Sequence, residues 1–500
     1  VSNGVMLPPW YQSDTIETVR FVAHSGGTKV KARDLNFMFA GCSKLKSVDF
    51  SNLDASPATS MVYTFQRCTA LESINLSGLN TANVSSFEGM FDGCTALKKA
   101  DLSALNFNNV TTTAVMFRGC SALTGSINMG TKTTQASDYA VRFPATNFPK
   151  LTQIYRMYRD SGISSVNIEG IGTGGNSAMY ELVQNCPNIK SLRIKDFAAG
   201  GVDSAWMITD THLQSIYFEN VASSTTGAYR NGAGTFSGGG VINEITIKNS
   251  FNFPSYDNNQ SSNTNVISFF NETSPKVMSI DRSFNGNNRL FTEMFRSAYN
   301  QDQTGQTLTI TNSFQGTQAD RGTRYQLFNN CPYLYNVSIS HSFTAGNLEL
   351  TRMFTNCARL TNVTLDHVAT GANVSLFKFF DTVGQSISTG TKLTYTFSDF
   401  GNGGNVNLRS FMSNSFTSTG ISSDSILTWK NTGTQGTAIS MEHAFSAGWH
   451  TPEVTNRNPY WYLIDYSKGT MQGESAGDGT YALSTDLHNN MPKLDLRGMP

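Results

Sequence analysis

The chain has 500 residues, with 36 basic and 36 acidic side chains, so its formal charge is zero and only 14% of residues are charged. No basic field invites nucleic acid or acidic lipid, and no run approaches the roughly 18 apolar residues of a membrane-spanning helix. Such a length suggests two or three globular domains unless the chain is one repeat array, and 33 Phe and 18 Tyr give it large buriable surfaces.

The chain opens on Val1 with no recognisable secretory leader, which leaves its compartment open. Residues 1–35 precede the regular pattern and are expected to form an N-terminal cap. From residue 36 the cysteines set a period. Cys42, Cys68, Cys94 and Cys120 follow one another at one constant interval, Cys331 and Cys357 repeat that interval later, and Cys186 stands alone. Each has an apolar residue three positions on: Leu45, Leu71, Leu97, Leu123, Ile189, Leu334 and Leu360. The chain is therefore a repeat.

After each cysteine a short alternating segment predicts a half-buried strand. "LKSVDFSNL" points Val48 and Phe50 inward, and "LESINLSGL" does the same with Ile74 and Leu76. The phrase returns in "ISSVNIEGI", "IKSLRIKDF", "LQSIYFENV", "LYNVSISHSF" and "LTNVTLDHV", with weaker copies as far as "ILTWKNT". Before each cysteine the spacing predicts a short helix. Val84, Phe87, Phe91 and Cys94 fall on one helical face, as do Val110, Ala114, Phe117 and Cys120, with Asn83 and Asn109 placed as N-caps. One such unit is too small to bury a core alone, so the units must stack.

The expected fold is an α/β repeat solenoid of about sixteen strand-containing coils, with parallel strand stacking and short helices in the regular units. It would span residues 36–447, most regularly over 36–130 and 325–370. Polar inserts such as "ASSTTGAYRNGAGTFSGGG" lengthen the middle coils. Residues 448–500 lose the pattern and are expected to be a C-terminal cap or docking segment.

Asp49 and Asp101 on one proposed strand face leave a carboxylate pair acting on surface polysaccharide as a third reading, but their repeat register reads first as solvated strand positions. The seven histidines (24, 212, 341, 367, 443, 450 and 488) read as scattered without a shared repeat position, and no metal-ligand, nucleophile-elbow or phosphate-loop motif occurs. "GESAGDGTYALSTD" is acidic but lacks the spacing of a helix–loop–helix calcium site. No cofactor and no catalytic or metal site is expected. The cysteines read as buried spacers, because equivalent side chains on adjacent coils point in parallel, which is poor geometry for a disulfide. The sequons at Asn83, Asn109, Asn336 and Asn362 fall where Asn suits turn and strand chemistry. Function is assigned instead to the outward strand positions: Ser47, Asp49, Ser73, Asn75, Asp101, Asn167, Arg193, Tyr217, Thr246, Ser338 and Thr364.

At "MFAGCSKLKSVDFSNLDASPATSM" and the two units after it, the chain resembles the BspA-like leucine-rich repeats of bacterial surface proteins. Their unit reads Met-Phe-x-Gly-Cys, then spaced leucines, Asn-Val and the next Met-Phe. The likeness is close over 36–130, moderate over 325–370 and partial over 180–198. It implies a non-enzymatic, extracellular adhesion or recognition role on a bacterial cell or phage virion, with a surface protein or glycan as partner. A structural subunit of a virion, fibre or surface filament, built by self-association, is the alternative.

Overall fold

A computed structural model describes residues 7–440, apart from 131–138, 145–147, 173–176, 198–201, 210–211, 224–233, 253–268, 287–292, 317–321, 324–325, 345, 389–390, 401–402, 408–410, 412–425 and 431–437. The expected C-terminal segment at 448–500 lies outside the described residues. The chain divides into two compact units, residues 1–242 with 249–251, and residues 243–248 with 252–500. Each is a parallel-strand β-solenoid.

In the first unit β1 (Thr18–Arg20) and β2 (Val30–Lys31) pair in register with β3 (Ser47–Asp49) and β4 (Leu53–Asp54), so residues 1–35 already contain coil strands. These pairs are two-stranded sheets, and the main sheet begins at β5 (Ser73–Asn75) and runs on through β6 (Lys99–Asp101), β7 (Ser126–Gly130) and β8 (Tyr139–Arg142). It then takes in β9 (Ser165–Ile171), β11 (Ser191–Phe197) and β14 (Ser215–Val221), in the spatial order β5-β6-β8-β7-β9-β11-β14. Between these, β10 (Ser177–Ala178) pairs with β12 (Val202–Asp203), and β13 (Ile208–Thr209) pairs with the start of β15 (Phe236–Lys248).

The second unit holds the rest of β15 beside β16 (Phe270–Asp281), followed by β17 (Thr307–Thr311), β19 (Asn336–Ser340), β21 (Asn362–Asp366), β23 (Thr394–Ser398) and β25 (Ile426–Lys430). Its second sheet is β18 (Gly322–Thr323), β20 (Asn347–Glu349), β22 (Gly371–Ser375), β24 (Gly403–Asn407) and β26 (Ala438–Ser440). The alternation read from sequence is present. Val48, Phe50, Ile74 and Leu76 are buried while Ser47, Asp49, Ser73 and Asn75 are exposed.

The expected helices are absent among the described residues. In their place the segment before each cysteine is a ribbon of consecutive turns. Phe37, Phe39 and Gly41 donate their backbone N–H groups to Val62, Thr64 and Gln66 on the next coil, and Met61, Tyr63, Phe65 and Arg67 donate to Ser86, Glu88, Met90 and Asp92. The residues between them close tight turns, Ala40 to Phe37 and Cys42 to Phe39. A left-handed residue recurs every fourth position: Phe37 and Gly41, Tyr63 and Arg67, Gly89 and Gly93, Val115 and Gly119. An α-helix needs negative φ throughout and spends its N–H groups on its own carbonyls. The ribbon spends half of them on the neighbouring coil, so stacking displaces the helix. The Gly of Met-Phe-x-Gly-Cys sits at the third position of the turn that Cys closes, where positive φ is required. Gly41, Gly93 and Gly119 hold φ of 75°, 74° and 71° there.

Identical side chains stack into ladders through the core. Phe39, Phe65, Phe91 and Phe117 lie in nearly parallel pairs with centroids 5.3, 5.5 and 5.4 Å apart, and Tyr158 continues the stack at 6.1 Å. The second unit repeats this with Phe270, Phe295, Phe328, Phe354 and Phe380 at 4.8, 4.5, 5.0 and 5.3 Å. Offset aromatic pairs of this kind add about 0.5–1.5 kcal/mol each beyond the area they bury.

About 11 solenoid turns are distinguished among the described residues, and the expected sixteen are not confirmed. Not every strand opens a new turn. β8 is a second strand within one turn. It inserts between β6 and β7, pairing Ala100 with Val141 on one side and Ile127 with Val141 on the other. The extra strand accounts for a longer repeat on the ribbon side. There Thr152 takes the carbonyl of Thr111, 41 residues back, whereas Thr111 itself takes that of Ser85, 26 residues back.

All seven cysteines are buried and free. Each thiol also reaches a backbone carbonyl on the preceding coil: Cys68 to Phe39 at 3.1 Å, Cys94 to Phe65 at 3.0 Å, Cys120 to Phe91 at 3.1 Å and Cys186 to Tyr158 at 2.9 Å. Cys331 and Cys357 do the same at 3.1 and 3.2 Å, and Cys42 reaches Trp10 at 3.4 Å. The spacer is thus also a weak donor between coils. Burial raises every one of these thiols for which a shift is resolved, Cys186 up to about 11. Thiolate, the reactive form, is suppressed. Iodoacetamide at pH 8 should therefore label none of the seven in the folded chain and all seven after denaturation, read by intact mass. A labelled Cys68 in native protein would contradict the ladder.

Candidate functional site

The early strand-face positions have structural work. Asp49, Asn75 and Asp101 each accept the backbone N–H two residues on, from Ser51, Ser77 and Ser103 at 2.9, 2.9 and 3.0 Å, which closes the turn out of the strand. That hydrogen bond is the first cause of a lowered Asp49 carboxyl. Ser47 and Ser73 lie exposed beside them, and Asp101 also lies 3.6 Å from Arg142. In the second unit Ser338 and Thr364 are cross-strand partners, both exposed. Thr246 is buried, with its hydroxyl on Glu244 at 2.8 Å.

Asn167, Arg193 and Tyr217 are brought together. They are successive rungs of β9, β11 and β14, and Glu169, Lys195 and Glu219 form the parallel column two residues on. Arg193 donates to Asn167 at 3.0 Å and to Glu169 at 3.1 Å, and its guanidinium lies 5.3 Å from the centre of the Tyr217 ring. The Tyr217 hydroxyl donates to Glu219 at 2.7 Å, and Lys195 pairs with the same carboxylate at 3.1 Å. Burial, then the bond to Glu219, pushes Tyr217 up to about 12. The result is a polar patch whose long side chains are fixed by one another.

A second surface lies on the turn ribbon of the same unit and escaped the sequence reading. Tyr155 and Tyr180 stack at 4.6 Å, and Arg156 lies over Tyr180 at 5.4 Å. Arg156 forks onto Glu181 at 2.9 and 2.8 Å, and Arg159 also pairs with Glu181. The Arg156 hydrogen bonds hold the Glu181 carboxyl below the usual range. Nearby along the chain, Arg118 grips Asp92 at 2.8 and 2.7 Å. Aligning these segments by coil position rather than by motif would have shown the clustering.

Residues 31–158 match a family model described as a Mycoplasma protein of unknown function, DUF285. The match covers about a quarter of the chain, and no curated protein matches the chain. The DUF285-like stretch contains Cys42, Cys68, Cys94 and Cys120, the first phenylalanine ladder, and the outward strand positions from Ser47 to Asp101. The Asn167–Arg193–Tyr217 patch lies outside it, as does everything in the second unit, and its end divides the ribbon cluster, with Tyr155 and Arg156 inside and Arg159, Tyr180 and Glu181 outside. The DUF285-like part is where the coils are most alike, and it holds ion pairs of its own, Lys98 with Glu72, Arg118 with Asp92 and Arg142 with Asp101. No helix among the described residues is long and apolar enough to cross a membrane.

The second unit brings together three side chains that motif searching left apart. His341 and His367 are separated by the same interval as Cys331 and Cys357, and so do share a repeat position. Their rings stack with centres 4.7 Å apart and planes 5° apart. His367 Nδ1 lies 3.0 Å from Asp366 Oδ1, and its Nε2 lies 3.4 Å from Asp399 Oδ2. Both histidines are exposed, Asp366 is half-buried and Asp399 is buried.

Proposed function

We propose that the chain is a non-enzymatic recognition protein that binds a surface protein or glycan through a preformed solenoid face, displayed on a bacterial cell or a virion. The observation that carries this reading is the Asn167–Arg193–Tyr217 patch with its Glu169, Lys195 and Glu219 column. Arg and Tyr are the residue types that most often dominate binding energy at interfaces. Here their rotamers are fixed before any partner arrives, which lowers the entropy lost on contact. The resemblance of the regular coils to BspA-like leucine-rich repeats supports the extracellular setting. The DUF285-like match adds a repeat family without a known activity.

The test is binding of the purified chain to immobilised glycans and extracellular matrix proteins, repeated with Arg193→Ala and Tyr217→Ala. Both substitutions lie on a partly exposed face, so melting should shift by only a degree or two while affinity falls at least tenfold. Binding untouched by either change would remove this face from the reading. A chain that binds nothing and is recovered only as regular polymers would replace recognition with a structural role.

A further inference from the structure

We propose that His341, Asp366 and His367 form a binding site for a borderline divalent transition-metal cation, with zinc as the reference ion. The ligand atoms of all three lie within 4.8 Å of one another. Two imidazoles and a carboxylate are the donor set that Zn²⁺ and its first-row neighbours favour, whereas Ca²⁺ and Mg²⁺ seek oxygen alone. His367 Nδ1 and Asp366 Oδ1 are 3.0 Å apart, close to the roughly 3.3 Å edge of a tetrahedron whose ligands sit at about 2.0 Å. His341 stacks on the same ring from the adjacent coil and offers the third donor once its ring turns out of the stack, because an imidazole lone pair lies in the plane of its ring.

A second observation points the same way. Asp399 approaches the other nitrogen of His367, Nε2, at 3.4 Å. A metal-binding histidine commonly gives its second N–H to a carboxylate, which fixes the tautomer and the ring and strengthens the donor. With its proton on Nε2 facing Asp399, His367 offers the Nδ1 lone pair toward Asp366. Asp399 is therefore a positioning residue, and the exposure of both imidazoles leaves the site open to an ion from solvent.

The backbone presents these groups as a column. Asn312, His341, His367 and Asp399 each follow a main-sheet strand by one residue and each is left-handed, with φ of 49°, 47°, 51° and 47°. His341 donates its N–H to Asp366 and His367 donates to Ser398. A shared ion would join two successive coils through their side chains. It would also give a recognition protein a charged, exchangeable contact in its second unit.

Titration of the full-length, metal-stripped chain with ZnCl₂ against a chromogenic chelator tests the site. One ion should bind with micromolar or tighter affinity and raise the melting temperature by several degrees. His341→Ala with His367→Ala should weaken binding at least a hundredfold and abolish the thermal shift. Asp399→Asn, which keeps size and a polar group, should weaken zinc by about 10–100-fold while the unliganded protein melts as wild type does. Binding equal in wild type and in the double histidine variant would overturn the proposal, as would no binding below 100 μM zinc. Equal zinc affinity in Asp399→Asn would remove Asp399 from it.

Discussion

Phe91→Ala is expected to destabilise the first unit by about 3–5 kcal/mol, the range for removing a fully buried phenylalanine. Phe91 has no exposed surface and is held between Phe65 at 5.5 Å and Phe117 at 5.4 Å, both nearly parallel. Alanine there leaves a cavity on the boundary of two coil interfaces at once, and stability in a repeat array is a sum over such interfaces. Its carbonyl also accepts the Cys120 thiol, so any local shift loosens that contact too. Phe91→Leu fills most of the volume and should cost less than half as much. Urea denaturation followed by circular dichroism measures both. A loss under about 1 kcal/mol for alanine, well below the usual range, would show that the ring stack fills space without holding the coils together.

Gly130→Ala is the second large effect. Gly130 ends β7 with φ of 128°, a region that only glycine enters easily. A Cβ on this backbone would lie 1.7 Å from the carbonyl oxygen of Glu169 on β9. That neighbour is main chain in a paired strand, so it cannot rotate away. Relief requires the end of the β7–β9 pairing to open, with strain of about 1–3 kcal/mol for the dihedral alone and the lost strand contacts added to it. Gly78→Ala is the control, because Gly78 also has positive φ, 86°, but faces open space. The Gly130 variant should lose several times more stability than the Gly78 variant in the same urea experiment. Equal losses would mean that the clash is absorbed and only the dihedral matters.

Much of the fold was legible because each coil must refill the same space as the one before it. Cys68, Cys94 and Cys120 announce the period, and the buried Val48 and Ile74 flanked by exposed polar residues announce the strand. The helix was misread for a physical reason. The turn ribbon turns Phe87 and Phe91 inward four residues apart, the spacing of a helical stripe, and hydrophobic pattern carries no information about the sign of φ. Gly93 and Gly119 were the available hint, since glycine inside a supposed helix is costly. The histidine cluster was missed because His341 and His367 were compared with known motifs rather than with each other, although their spacing equals the repeat. Asp399 could not have been assigned to them, because the coil that separates it from His367 is longer than the regular ones and breaks the interval. The pairing of Arg193 with Tyr217 was implicit once both stood on one strand face, but the bonds that make the patch rigid depend on rotamers that sequence does not specify.

β8 has a consequence for how the chain is made. A polypeptide leaves the ribosome from its N-terminus, so β7 is complete before residues 139–142 exist. Translation at about 5–20 residues per second leaves β7 waiting on the order of a second for β8, far longer than elementary pairing events of about 1–10 μs. During that interval β6 and β7 face each other with unsatisfied edges, yet in the finished sheet they never touch. The nascent chain must either hold that gap or undo a premature union, so this solenoid cannot be wound simply in the order of its genetic message.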